Sequence, residues 1–235
     1  MGMRKFLFLI SLLIGFNNLY ANSFTVSNAN STGAGSLSQA ITDANALIGL
    51  DTINFTGPFT IVLTSALPTV SDPLFINGLN SPAPQIEING NTNSIVGAGI
   101  LIAASAPGST IKGLNIHGMQ WQGVLISASN CTVIGCYLGT NLSGTSAIAN
   151  AFAGIELSAG ISNIKIGGST PDSSNLISGN GQIGINIAPG CANVKISGNK
   201  IGTNASGTSA VGNGTTAAPQ PGILATSVTD RKSVV

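Results

Sequence analysis

One short phrase recurs five times along the 235-residue chain: GILIAA at Gly99, GVLISA at Gly123, GIELSA at Gly154, GINIAP at Gly184 and GILATS at Gly222. The copies start 24, 31, 30 and 38 residues apart. A fixed phrase at variable spacing means that its copies hold equivalent places while the intervening loops absorb the length differences. A second phrase follows each of the first four after 12 to 14 residues, ending at Gly113, Gly135, Gly167 and Gly198. A third short apolar element comes next, with Leu114 and Ile116, Cys136 and Leu138, Leu176 and Ile177, then Ile201. A longer insert, GTNLSGTSAIAN (139–150), returns as GTNASGTSAVGN (202–213) at an offset of 63 residues.

Each unit thus contains three brief strands separated by Gly, Asn and Ser turns. Alternate strand residues share a face. Val124 and Ile126, Ile155 and Leu157, and Ile185 and Ile187 therefore point one way, while Glu156 and Asn186 point the other. Stacking the copies ~4.8 Å apart buries ladders of Ile, Leu and Val that no single unit can bury alone. Asn130, Asn163 and Asn193 each precede the second strand. Two readings stand side by side: their amides hydrogen-bond from turn to turn, or Asn is present because it tolerates a left-handed turn.

Composition narrows the alternatives. Only 6% of residues are charged and 31 are Gly, at a formal net charge of +1. Helical bundles need far more Glu, Lys and Arg. Binding of nucleic acid through its phosphates has almost no cations to work with. Both arginines, Arg4 and Arg231, lie near the ends. The expected fold class is all-β.

The phrases YLGTNLSGTSAIAN, KIGTNASGTSAVGN and NLISGNG resemble right-handed parallel β-helix repeat proteins of bacterial surfaces, over most of the chain from about Phe24. The stretch 26–55 resembles the leader that often opens such solenoids, with Ser38 where that leader often has Arg. The handedness is what the resemblance implies; the spacing does not supply it. Within the leader, Leu37, Ala40, Ile41, Ala44 and Leu47 follow helical spacing or close to it. A short amphipathic helix there is expected to cover the apolar end of the first rung. Further strands are expected at Thr52–Phe55, Thr60–Thr64, Leu74–Asn77 and Ile86–Asn89, in a stack of about seven rungs, ~34 Å long.

Residues 1–21 read as a secretory signal peptide, with Arg4 and Lys5 before an apolar Phe6 to Phe16 and a small Ala21 before the cut. Residues 22–56 are the expected cap and first strands, and 57–229 the rungs, incomplete at the C-terminal end. Residues 230–235, DRKSVV, break the composition and read as a non-native tail translated from sequencing-adapter DNA. An open last rung is expected to let the chain self-associate. No apolar run after the leader has the ~18 residues of a transmembrane helix.

The chemistry-bearing residues are scattered. The resemblance raises the prospect of polysaccharide cleavage, because many parallel β-helices cut acidic polysaccharides with clustered carboxylates, Ca²⁺ and a base. Here Asp43, Asp51, Asp72, Glu87, Glu156 and Asp172 are dispersed, and Leu125 and Asn186 flank Glu156 on the adjoining rungs. Glycoside hydrolysis needs two carboxylates roughly 5–9.5 Å apart. His117, the only His, reads as an exposed turn residue. No catalytic residue, metal ligand or cofactor site is assigned, and no ligand-binding residue is known. Cys131 and Cys191 fall two rungs apart, too far for a disulfide. Cys136 reads as a buried strand residue. Trp121, Tyr137 and the scattered Phe residues are candidates for stacking on sugars, although a lone Trp in a loop reads first as packing. The expected function is a non-catalytic, exported, adhesin-like scaffold whose polar loops 139–150 and 202–213 meet extracellular polysaccharide or matrix. The alternative is a fragment of a polysaccharide lyase or glycoside hydrolase whose catalytic rungs lie downstream.

Overall fold

The computed structural model describes residues 21–79, 83–91, 94, 96–215 and 218–226. The expected leader, apart from Ala21, and the expected non-native tail lie outside the described residues. Three parallel sheets and one α-helix organise the described residues. The first contains β1 (Ser23–Val26), β2 (Asp51–Phe55), β4 (Leu74–Asn77), β7 (Thr110–Lys112), β10 (Thr132–Ile134), β13 (Lys165–Gly167) and β16 (Lys195–Ser197), in that spatial order. The second contains β3 (Phe59–Val62), β5 (Ile86–Asn89), β8 (Leu114–His117), β11 (Tyr137–Leu138), β14 (Leu176–Ile177) and β17 (Lys200–Ile201). The third contains β6 (Ile100–Ile102), β9 (Val124–Ile126), β12 (Ile155–Leu157), β15 (Ile185–Ile187) and β18 (Ile223–Ala225). From β4 onward, successive strands visit the three sheets in turn, which is a solenoid-like order. Every copy of the five-fold phrase forms the strand of the third sheet, directly after its Gly.

The registers put like residues over like. Ile53, Ile76, Ile111, Val133, Ile166 and Ile196 align down the first sheet. Ile61, Ile88, Ile116, Leu138, Ile177 and Ile201 align down the second. Ile102, Ile126, Leu157 and Ile187 align down the third, all buried. These columns converge on one aliphatic interior. Burial of a whole Ile or Leu side chain is worth about 1.5–3 kcal/mol, which three-residue strands cannot obtain without their neighbours.

The leading Gly of each phrase has a steric cause. A Cβ on Gly154 would lie 2.6 Å from Ile177 Cγ2 and 2.9 Å from Gly184 O. At Gly123 it would lie 2.8 Å from Gly154 O. In the first four copies the strand starts where the carbonyl of the next rung passes, so only Gly fits; a Cβ on Gly222 would meet only the Ile201 side chain.

The expected helix forms as α1 (Leu37–Asn45), with Ser36 Oγ accepting the Gln39 N–H at 3.1 Å as its N-cap. Leu37, Ala40, Ile41 and Ala44 are buried, and α1 packs on β1 and β2. Leu47 departs from the expectation: the helix stops at Asn45, and Leu47 is 43% exposed. The strand expected at Thr60–Thr64 is shifted to Phe59–Val62 and lies in the second sheet. Among the described residues no helix is long and apolar enough to cross a membrane.

Candidate functional site

The two copies of the long insert fold alike and lie against each other. In the first, Asn141 Oδ1 accepts the N–H groups of Thr145 at 2.9 Å and Ser146 at 3.2 Å. In the second, Asn204 Oδ1 accepts those of Thr208 at 2.9 Å and Ser209 at 3.3 Å. Ser143 and Thr145 pair their hydroxyls at 2.8 Å, as Ser206 and Thr208 do at 2.8 Å. Each loop is closed by a bridge, Thr140 to Ala147 and Thr203 to Ala210. Ala205 N donates to Gly144 O at 2.8 Å and seats one loop on the other. The short side chains are thus held outward in a repeated array of hydroxyls and amides.

The loops are anchored by the last residue of each insert. Asn150 Nδ2 donates to Asn180 Oδ1 at 3.0 Å, and Asn180 Nδ2 donates to Asn213 Oδ1 at 3.0 Å. All three are buried. This interior amide ladder was missed by sequence reasoning, although the terminal Asn of both inserts and the intervening SGN were visible signals. The outer ladder was visible. Asn163 Nδ2 donates to Asn130 Oδ1 at 3.0 Å, and Asn193 Nδ2 to Asn163 Oδ1 at 3.1 Å. The same residues have φ of 63°, 59° and 52°, so both readings of these residues hold together.

Beside the loops, a groove of roughly 540 Å³ crosses the outer face of the second sheet. Tyr137, Leu176 and Lys200 align in register along its floor, with Asp172, Asn175 and Ala205 on its walls. Burial raises the Tyr137 phenol above its ordinary pKa. Asn175 is locked in place: its Nδ2 donates to Val133 O at 2.9 Å and to Asn199 Oδ1 at 2.9 Å, and its Oδ1 accepts the Cys136 N–H at 2.8 Å. Lys200 Nζ donates to Ala205 O. The groove therefore offers one phenol face, one acid and one amine, and otherwise small neutral groups.

The acids expected to be dispersed each have a local partner. Asp51 Oδ1 accepts the Asn22 N–H at 2.7 Å. Asp72 Oδ2 accepts the Gly49 N–H at 3.0 Å, and Asp43 Oδ1 accepts Gln39 Nε2 at 2.7 Å. Glu156 takes amide hydrogens from Gln122 and Asn186. Among the described residues, no three His, Cys, Asp or Glu side chains gather as a metal site would require.

Two expectations are corrected. His117 is not an exposed turn residue: it ends β8, is 1% exposed, and its Nε2 lies 2.6 Å from Glu87 Oε1. Asn89 faces His117 in register, so Glu87 sits diagonally across from it one rung away. Glu87 Oε2 also accepts from Thr60 Oγ1 at 2.9 Å. Trp121, which reads first as packing, has about half its surface covered and 49% exposed. The cysteines are all buried and free. Cys136 sits one residue before β11 rather than on a strand, and burial pushes its thiol up to about 12. No protein-family model matches the chain, and no curated protein matches it.

Proposed function

We propose that the chain is a right-handed parallel β-helix of the bacterial surface type, exported by its leader. In this reading it is a non-catalytic, adhesin-like scaffold whose polar loops bind extracellular glycan or matrix. The observation that carries the reading is the pair of matched loops, 139–150 and 202–213, closed by Asn141 and Asn204 and seated on one another. Arrays held in shape before binding lose less conformational entropy on engaging a ligand. Their hydroxyls and amides suit a partner dense in hydroxyl groups, and the groove at Tyr137 adds an aromatic surface beside them. In the same reading α1 covers one end of the column and shields it from strand addition.

Retention of the protein on insoluble polysaccharides and on matrix proteins tests this. We expect retention that is lost when Ser143, Thr145, Ser206 and Thr208 are all changed to Ala, with the circular dichroism spectrum unchanged. Equal retention of that variant, or none by the parent protein, refutes the loop reading.

A second reading, a piece of a polysaccharide lyase or glycoside hydrolase, draws its support from Glu87 and His117. A carboxylate-held imidazole is suited to proton transfer. At 1% exposure, however, His117 presents no surface to a substrate. Release of unsaturated or reducing sugar ends by the protein would reverse the preference.

A further inference from the structure

The turn between the second and third sheets recurs as MQWQG (119–123), NAFAG (150–154) and NGQIG (180–184). Its backbone is aligned rung on rung. Trp121 N donates to Gly97 O at 3.3 Å, Phe152 N to Trp121 O at 3.0 Å, and Gln182 N to Phe152 O at 2.9 Å. Trp121 and Phe152 therefore occupy the same place on adjacent rungs, with backbones ~4.8 Å apart. Trp121 is exposed and Phe152 half-buried. Two aromatic side chains thus stand together at the edge of the third sheet, in a chain with only one Trp.

A polar cluster adjoins them. Glu156 lies at the middle, outward position of β12, in register with Leu125 and Asn186. Gln122, the residue after Trp121, reaches across one rung and donates from Nε2 to Glu156 Oε2. Asn186 Nδ2 approaches Glu156 Oε1 at 3.4 Å from the other side. Among the described residues no cation lies within ion-pair distance of Glu156. Gln122 is nine-tenths buried, and its Oε1 has no hydrogen-bond partner. Gln122 thus serves as an interior brace that holds the outward Glu156 carboxylate in place beside Trp121.

We propose that Trp121, Phe152 and Glu156, the last positioned by Gln122, form a binding platform for a neutral pyranose chain. The inference rests on the reading of the chain as a glycan-binding scaffold, but places the contact on this edge of the third sheet instead of on the loops. Trp121 and Phe152 stack on the apolar faces of the sugar rings. The part-exposed carboxylate of Glu156 accepts hydrogen bonds from sugar hydroxyls, since a carboxylate has lone pairs to spare after two amide bonds. The ligand is neutral because a carboxylate without a cation partner among the described residues repels a uronate.

Emission from the lone Trp reports directly on this surface. We expect a saturable change in Trp121 fluorescence on titration with at least one of cellohexaose, xylohexaose, mannohexaose and chitohexaose, and none with an oligogalacturonate. Calorimetry on W121A, its fold checked by an unchanged circular dichroism spectrum, is expected to show at least about tenfold weaker binding, as for an aromatic anchor. E156Q is expected to weaken neutral binding several-fold and to admit the oligogalacturonate. No response to any neutral chain, or a stronger response to the acidic one, overturns the proposal. Retention abolished by the loop variant while W121A binds normally overturns it as well and leaves the loop reading standing. Retention that survives the loop variant but fails in W121A supports it and refutes the loops.

Discussion

Replacing Asn180 by Ala would remove three interior hydrogen bonds at once. Asn180 Nδ2 donates to Leu138 O and to Asn213 Oδ1, both at 3.0 Å, and its Oδ1 accepts from Asn150 Nδ2 at 3.0 Å. A buried hydrogen bond contributes about 1 kcal/mol net, so the sum is about 3 kcal/mol. The abandoned partners are not orphaned. Leu138 O still accepts the Ser178 N–H at 3.1 Å, Asn150 Nδ2 still donates to Ile116 O at 3.1 Å, and Asn213 Oδ1 still accepts the Asn180 N–H at 3.0 Å. The cost therefore stays near that sum without a further desolvation penalty. Asn180→Asp is nearly isosteric, but sets an oxygen against two carbonyl oxygens and buries a charge without a cation. It is expected to cost more than Asn180→Ala at pH 7.

The pH dependence separates the two variants. The introduced carboxyl has its folded pKa raised above the unfolded value of ~3.9, because burial and facing oxygens disfavour its charged form. Between the two values the folded state holds more protons, so stability rises as pH falls. Urea denaturation followed by circular dichroism from pH 4 to pH 8 measures this. Two results would refute the ladder as an energetic element: a loss below about 0.5 kcal/mol for Asn180→Ala, or an Asn180→Asp variant that matches Asn180→Ala and is flat with pH.

On the outer ladder, Asn163→Gly keeps a backbone that tolerates φ 59° and loses only exposed amide bonds. A stability loss under about 1 kcal/mol is expected in urea melts, and Asn163→Ala should cost about 1–2 kcal/mol more for its left-handed strain. Gly154→Ala forces a Cβ to within 2.6 Å of Ile177 Cγ2; a loss of about 1–3 kcal/mol by the same assay is expected, and a neutral result would contradict the close approach of the rungs. Cys136, buried with its thiol pushed up to about 12, should resist iodoacetamide at pH 8.5 until the protein is unfolded in urea, as mass spectrometry of the alkylated peptide would report. Its folded form keeps the proton while the unfolded thiol ionises, so its contribution to stability should fall as pH rises past the unfolded value of ~8.5.

Much of the strand pattern was legible before any coordinates. The phrase after Gly99, Gly123, Gly154, Gly184 and Gly222 is short and self-similar, and each copy became a third-sheet strand whose outer positions are buried in the first four copies. The helix at Leu37–Asn45 was legible because its spacing lies within one turn-to-turn period. Asn130, Asn163 and Asn193 were legible as a set, since they stand at one place in successive repeats.

The polar constellations were not legible in the same way. Glu87 meets His117 across 30 residues, and Gln122 meets Glu156 across 34. Neither pair repeats down the stack, so periodicity carries no signal for it. Trp121 falls in step with Phe152 because the backbone after the insert rejoins the preceding rung, where Ala151 N donates to Met119 O at 2.8 Å and Phe152 N to Trp121 O at 3.0 Å. The sequence by itself determined that short, glycine-led strands must lie over one another, because a few aliphatic residues per strand find burial only against copies of themselves. Tertiary structure alone decided which outward side chains became neighbours, because contacts across rungs depend on how each loop returns the chain and not on any local period.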